Sequence, residues 1–215
     1  MIVNKELSSS AHDLSHVYRV YKNGMEIAKA HGDINFDILK AACLLHDIAK
    51  VKEDLDASGQ IDHAILGSEM ASQILTDLRC DEFFINAVCN AIKTHRYRGK
   101  LTPETIEAKI LYDADKLDIL GAVGIARSYM IAGEYRQSLI FEGNQDEYIL
   151  TNLVGSDING RIKDVSLHTP DLEFNLKIRS IPNRLFTESA KEIAEKRLKF
   201  MELFYDVLYE EVKVV

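Results

Sequence analysis

The residues most able to do chemistry are histidines and aspartates that lie next to each other in a few short segments. The sharpest is the pair His46-Asp47, which ends the apolar run Ile38–Leu45. Burying an ionised carboxylate costs several kcal/mol unless a partner compensates it. A metal cation would do so, because imidazole nitrogen and carboxylate oxygen are both common ligands. Taken alone, the pair favours a plainer alternative, in which Asp47 pairs with Arg or Lys and His46 is a hydrogen-bonded core residue.

Two other segments repeat this combination of residue types. His12 and His16 are four residues apart, so they share one face of a predicted helix. Farther along the chain, Asp115 and Asp118 share a face at a spacing of three residues. The pair at His46 therefore has potential partners before and after it.

The order of these residues resembles that of the HD-domain superfamily, in which a histidine is followed by His-Asp and then by an aspartate. The matching segments are HDLSHVYRV, LLHDIAK and KILYDADKLD, and the resemblance spans about residues 11–127. It also includes Gly121–Arg127, which looks like the small stand-alone bacterial hydrolases of this superfamily. The resemblance implies phosphate esters or anhydrides as substrates. It also implies a divalent metal held by His16, His46, Asp47 and Asp115.

The predicted ligand set suits a hydrolytic metal. Two neutral imidazoles and two carboxylates leave a divalent cation without net charge and with positions open for water and a phosphate oxygen. Such a cation lowers the pKa of bound water and neutralises charge on phosphorus. No GxSxG or P-loop motif indicates another mechanism, so attack by metal-bound hydroxide is predicted. Mixed nitrogen and oxygen ligands suit Mn, Fe, Co, Ni or Zn better than Mg, and the resemblance favours Mn²⁺.

Basic residues near this site are candidates for binding a small phosphorylated substrate, with nucleotides as the leading class. Lys50 lies one turn after His46 and is predicted to be catalytic through a phosphate contact, although a solvated helix end is the alternative. Arg19 either binds phosphate or pairs with an aspartate, and pairing is favoured. His12 and Arg127 are further candidates for substrate binding.

His63 and His95 decide between two versions of the site. In some HD proteins, histidines at these relative places bind a second metal. We favour the single-metal version, in which His63 lines the substrate site and His95 is catalytic as a general acid or phosphate contact. Asp47 is predicted to be catalytic as well as a metal ligand. His63 follows the stretch Ser58–Gln60, which is predicted to be flexible, and His95 precedes the cationic segment Arg96–Arg98.

The spacing of apolar residues predicts an all-α fold, an HD-domain helical bundle forming a single domain over residues 1–215. An irregular segment over about 141–186 is expected to hold one or two short helices and a small hairpin near Asn159, before a C-terminal helix over about 187–211. A capping box at Ser189 and Glu192 is predicted to start that helix. The other predicted helices cover Ala11–His31, Phe36–Lys50, His63–Arg79, Asp81–Thr94, and a segment from the cap at Thr102-Pro103 towards Leu120.

Composition excludes some classes of function. The net charge of −8 among 215 residues argues against binding duplex nucleic acid, which requires clustered Lys and Arg. No apolar run approaches the length of a membrane span, and no signal pattern opens the chain. The three cysteines show no CxxC spacing and are expected to fill the core of a protein in a reducing compartment. A cytoplasmic location is the default, and the oligomeric state is left open.

Two functions of other classes remain alternatives. One is a non-catalytic sensor of metal or nucleotide, against which the complete set of four ligands argues. The other is a di-iron oxygenase, which uses the same helical fold with six ligands. Those six would be His16, His46, Asp47, His63, His95 and Asp115.

Overall fold

The computed structural model describes residues 14–96, 101–158 and 160–212. Helices dominate these residues, and their only β pairing is an isolated antiparallel bridge between Leu153 and Ile162. The predicted all-α class is confirmed. The chain forms two compact units. The first unit consists of the residues up to Asp118 together with the later stretch Leu185–Ala190. The second unit consists of Ile119–Arg184 and the residues from Lys191 onward.

The first unit is a bundle arranged around its second helix. Helix α2 packs against α1, α5 and α6, while α4 packs against α5. Leu39, Ala42 and Cys43 on α2 are fully buried. Gly24 keeps α1 close, since a Cβ there would lie 3.0 Å from Sγ of Cys43. The described helices are α1 (Leu14–Ala28), α2 (Phe36–Leu45), α3 (Lys50–Leu55), α4 (His63–Asp77), α5 (Glu82–Thr94) and α6 (Ile106–Leu117).

The prediction of one helix over Phe36–Lys50 is wrong at its C-terminal end. Helix α2 ends at Leu45, and the next four residues form a turn before α3. In this turn Nδ1 of His46 bonds the Cys43 carbonyl at 2.9 Å, and Ile48 N donates to the Leu45 carbonyl at 3.1 Å. The histidine ring therefore uses a carbonyl at the helix end, which a continuing helix would need for its own backbone.

Two predicted helix starts are also wrong. Helix α6 begins at Ile106 and is capped by Thr105, whose Oγ1 accepts from Ala108 N at 3.2 Å, so Thr102-Pro103 precede the helix. The last helix is capped by Thr187 in place of Ser189. Each threonine that caps sits three residues before a free helical N–H, which is the geometry that a side-chain cap requires.

The loop before α4 is fixed by hydrogen bonds, contrary to the flexibility expected for Ser58–Gln60. Asp56 accepts from the backbone and hydroxyl of Ser58 and from the backbone N–H groups of Gln60 and Ile61, at 2.6 to 2.9 Å. These bonds lower the pKa of Asp56 to about 2. Asp62 then caps α4, so His63 starts a well-anchored helix.

The second unit packs around a small core of its own. Tyr148, Leu153 and Leu172 are buried there, with Phe141 and Leu176 beside them. The hairpin expected near Asn159 is reduced to the single bridge described above, and Asn159 itself lies outside the described residues. None of the described helices is long and apolar enough to cross a membrane. The helices are α7 (Gly121–Tyr135), α8 (Gln145–Asn152), α9 (Pro170–Leu176) and most of α10 (Glu188–Val212), which starts in the first unit.

Candidate metal centre

Four side chains from three segments of the first unit converge on one point. His16 lies on α1, His46 and Asp47 in the turn after α2, and Asp115 on α6. Nε2 of His16 lies 3.3 Å from Nε2 of His46, and 3.5 Å from both Oδ2 of Asp47 and Oδ1 of Asp115. Three of the four are at most 4% exposed, namely His16, His46 and Asp47. The structure thus brings together all four residues that the sequence predicts as ligands.

A second group shares Asp47 with the first. Oδ1 of Asp47 lies 3.6 Å from Nε2 of His63 and 3.7 Å from Nε2 of His95, and these two nitrogens are 3.3 Å apart. His63 is the first residue of α4, and His95 directly follows α5. One carboxylate oxygen of Asp47 therefore faces each pair of histidines.

All four imidazole rings are oriented in the same manner. Each Nδ1 bonds a group that can only accept, so Nδ1 carries a proton, and Nε2 of the neutral ring keeps its lone pair. Histidines that bind metals are held in this way. Within each pair of neutral rings, the two Nε2 lone pairs 3.3 Å apart repel unless a proton or a metal cation lies between them, so these residues fit a metal. The acceptors are Asp118 for His16 at 2.7 Å, the Cys43 carbonyl for His46 at 2.9 Å, Glu53 for His63 at 2.8 Å and the Ile92 carbonyl for His95 at 2.6 Å.

The titration behaviour of the first group reflects concentrated negative charge. Burial lowers the pKa of His46 to about 4, so this ring is neutral at pH 7. Burial also disfavours the charged form of His16, but the carboxylates of Asp118, Asp47 and Asp115 outweigh it and raise its pKa to about 9. Burial would raise the pKa of Asp115, yet Lys116 and the histidines hold it well below its usual range. A bound cation would offset these carboxylates in place of a proton.

The two carboxylates that orient histidines are themselves paired with cationic side chains. Arg19 donates to Asp118 through Nε at 2.6 Å, which matches the pairing favoured for it over a phosphate contact. Lys50 lies 2.7 Å from Glu53, and Arg96 lies 2.8 Å from the same carboxylate. These three cationic side chains therefore contact the carboxylates that orient His16 and His63.

Sequence reasoning missed the role of Glu53 and saw only part of that of Asp118. The sequence predicts that Arg19 pairs with an aspartate, with Asp118 and Asp47 as the two possibilities, and the spacing of Asp118 from Asp115 is the available signal. Glu53 lies six residues past Asp47, which is off the face of a helix that continues from it. No periodic pattern links Glu53 to His63 ten residues later, since only the loop tied by Asp56 brings them together.

The described residues of these groups do not include every residue that was predicted for the site. His12 lies outside the described residues, as do Tyr97 and Arg98 of the cationic segment after His95. Arg127 lies on α7 in the second unit. The roles of His12 and Arg127 in substrate binding remain predictions.

Comparison with known proteins places this geometry in a family. The model of the HD domain matches residues 13–120. The Bacillus subtilis protein YpgQ is 30% identical over 213 residues, covering 95% of this chain and 86% of YpgQ. Ribonuclease Y of Borreliella burgdorferi is 38% identical over 80 residues, which are 37% of this chain and 14% of that enzyme.

Solved structures agree over nearly the whole chain. The structure of YpgQ in complex with ADP has a TM-score of 0.70 at 25% identity and covers 98% of this chain and 90% of YpgQ. An HD-superfamily hydrolase from Bacillus thuringiensis has a TM-score of 0.66 at 27% identity, with the same coverage of 98% and 90%. The chain therefore belongs to the HD-domain family.

Proposed function

We propose that this protein is a metal-dependent phosphohydrolase that acts on a nucleotide, as a phosphatase or pyrophosphohydrolase. His16, His46, Asp47 and Asp115 are the ligands of its essential cation, for which Mn²⁺ is the leading candidate. The observation that carries the proposal is the convergence of these four donors with both Nε2 lone pairs aimed inwards. A bound divalent cation would supply a more acidic water and would neutralise charge on a phosphate oxygen.

The protein's own residues keep the site ready for that cation. Asp118 and the Cys43 carbonyl hold the rings of His16 and His46, so neither ring must rotate on binding. Asp47 and Asp115 supply two negative charges in a largely buried place, where charge attraction is stronger than in water.

The nucleotide assignment rests on relatives and on charge. YpgQ has been solved in complex with ADP, and another relative is named ribonuclease Y. The net charge of −8 would repel a phosphorylated molecule. A divalent cation reverses the field locally, so the site itself is where phosphates are attracted.

We further propose that the second group, Asp47 with His63 and His95, binds a second cation. The sequence favoured a substrate role for His95, but the geometry supports the other version. Nδ1 of His95 donates to the Ile92 carbonyl at 2.6 Å, so Nε2 of the neutral ring presents a lone pair that can bind a cation. Oδ1 of Asp47, 3.7 Å from that Nε2, would repel a phosphate oxygen and attract a cation.

The function is tested by metal analysis followed by a phosphate-release screen over nucleotides with several added metals. We expect His46→Ala and Asp47→Ala to lose metal and turnover while circular dichroism shows the helical fold intact. His31→Ala is the matched control, because His31 lies in the same unit outside both groups. Retention of metal and activity in both His46→Ala and Asp47→Ala would refute the ligand assignment.

A di-iron oxygenase is the second candidate, because the same six donors form the two groups that share Asp47. This candidate predicts iron in the purified protein and an absorbance band that changes with oxygen. A protein that releases phosphate with Mn²⁺ and shows no such band is a hydrolase.

A further inference from the structure

The last helix carries an apolar stripe on the side that faces solvent. Phe200, Leu203 and Val207 are 48%, 62% and 44% exposed. At 100° per residue they lie within an arc of about 60°, so they form one continuous strip. Single exposed apolar residues are ordinary on a protein surface, but a run spaced by three and four residues is the pattern of a helix seam.

The opposite face of α10 already has its partners within the second unit. Tyr205 is buried and stacks on Phe174 with ring centroids 4.5 Å apart. The hydroxyl of Tyr209 donates to Asp171 at 3.1 Å. Helix α10 is thus apolar on two sides. Because the side with Tyr205 and Tyr209 is anchored in the second unit, the helix cannot rotate about its axis to bury the stripe.

Within seven residues of Leu203, the exposed charges of α10 are divided between the two ends of the stripe. Lys196 and Lys199 are exposed before the centre of the stripe, whereas Asp206 and Glu210 are exposed after it. The stripe's centre is Leu203, and Lys196 and Glu210 each lie seven residues from it. Two copies of this helix placed antiparallel would therefore bring each lysine next to an acidic residue of the other copy.

We infer that this face of α10 binds a second copy of the same chain, antiparallel and around a two-fold axis near Leu203. Leu203 then packs against its own counterpart, and Phe200 against Val207 of the second copy. Lys196 faces Glu210 of the second copy, and both contacts occur twice by symmetry. A parallel pair would place Lys196 beside Lys196 and is disfavoured by like-charge repulsion. Because one helix face is a small interface, the dimer dissociates on dilution in roughly the micromolar range.

The first test is sedimentation velocity of the full chain from roughly 1 to 200 μM, a range that brackets the affinity expected of a small interface. The parent should convert from monomer to dimer within it. Leu203→Glu should raise the dissociation constant by about 100-fold or more, since it places two charges at the centre of the interface. Leu150→Glu is the matched control, because Leu150 is an equally exposed leucine of the second unit, 65% exposed on α8, and should leave the dissociation constant unchanged.

The second test separates an antiparallel pair from any other contact. Lys196→Glu and Glu210→Lys should each weaken the dimer several-fold, and the two changes together should restore the parent's dissociation constant within about threefold. A parent that is monomeric at the highest concentration overturns the inference. So does a dimer that survives Leu203→Glu, or a double variant no stronger than the single ones.

Discussion

Nδ1 of His16 lies 2.7 Å from Oδ2 of Asp118, and this contact determines which nitrogen of His16 faces Asp47 and Asp115. Asp118 is held in turn by Arg19 at 2.6 Å. The same arrangement recurs in the second group, where Glu53 orients His63 at 2.8 Å and is held by Lys50. Each half of the candidate centre therefore has one histidine oriented by a carboxylate and a cation.

This relationship predicts separate effects on the two groups. Asp118→Asn should weaken metal binding by the first group about 10- to 100-fold, the usual effect of losing an orienting partner. Glu53→Gln should weaken only the second group by a similar factor. Competition with a metal-sensitive chelator dye measures both affinities. If both variants changed the same affinity, the division of the centre into two groups around Asp47 would be untenable.

The number of bound metals should follow the second group. We expect two metals per chain in the parent and one in His95→Ala, as measured by elemental analysis after dialysis. The first group should keep its affinity for metal in this variant. One metal in the parent and in His95→Ala, with turnover lowered by about 10²- to 10⁴-fold, would instead identify His95 as the acid–base group on the substrate side.

The four candidate metal ligands could be predicted because their residue types and their order along the chain match the superfamily. His16, His46-Asp47 and Asp115 lie in the order that the superfamily shows, and each is preceded by residues with helical spacing. The contact of Glu53 with His63 could not be predicted, because it depends on a loop closed by Asp56. The turn at His46 was also missed, since the apolar run before it looks like the middle of a longer helix.

The caps show the same limit of local patterns. Thr102 with a following proline is a good helix start by sequence, but Thr105 provides the cap. The last helix is fixed from a distance: buried Asp113 on α6 accepts from the backbone N–H of Phe186 and Thr187 at 2.9 and 2.8 Å. Asp113 is two residues before Asp115, about 200° around the helix from it, and no local pattern in the sequence reveals this long-range contact.

Duplex DNA should not bind this protein appreciably at physiological salt. The net charge of −8 repels a phosphate backbone and disfavours the counterion displacement on which binding to duplex DNA depends. Fluorescence anisotropy with a labelled duplex checks this, and a mononucleotide with Mn²⁺ serves as the positive control. A submicromolar, salt-dependent increase in anisotropy with the duplex would contradict the prediction.

Acid should weaken the second unit through Glu173. Burial alone would raise the pKa of this carboxyl, but the hydrogen bond from His168 and the charge of Lys177 outweigh it and lower the pKa from 4.5 to about 2. A lowered pKa in the folded state contributes stability above pH 4.5, and this contribution is lost as pH falls towards 2.

The matched variant for this prediction is Glu173→Gln. Because the Glu173 side chain is one-third exposed, we expect the Glu173→Gln protein to be less stable than the parent by only about 1 kcal/mol at pH 7. The difference should shrink between pH 4.5 and 2.5 in urea unfolding followed by circular dichroism. A difference that stays constant with pH would show that the carboxylate's charge is not what His168 stabilises.

Two glycines of α7 should respond oppositely to the same substitution. A Cβ at Gly124 would lie 2.1 Å from the carbonyl oxygen of Ile119, whereas a Cβ at Gly133 meets nothing within 4 Å. The close approach exists because Gly121, with φ of +75°, turns the chain sharply into the helix. Gly124→Ala must therefore displace backbone and should cost about 3 kcal/mol in the free energy of unfolding. Gly133→Ala should gain about 0.5 kcal/mol, because alanine loses less conformational entropy in a helix. Urea unfolding of both variants measures the difference, and equal stabilities would mean that α7 does not begin with this tight turn.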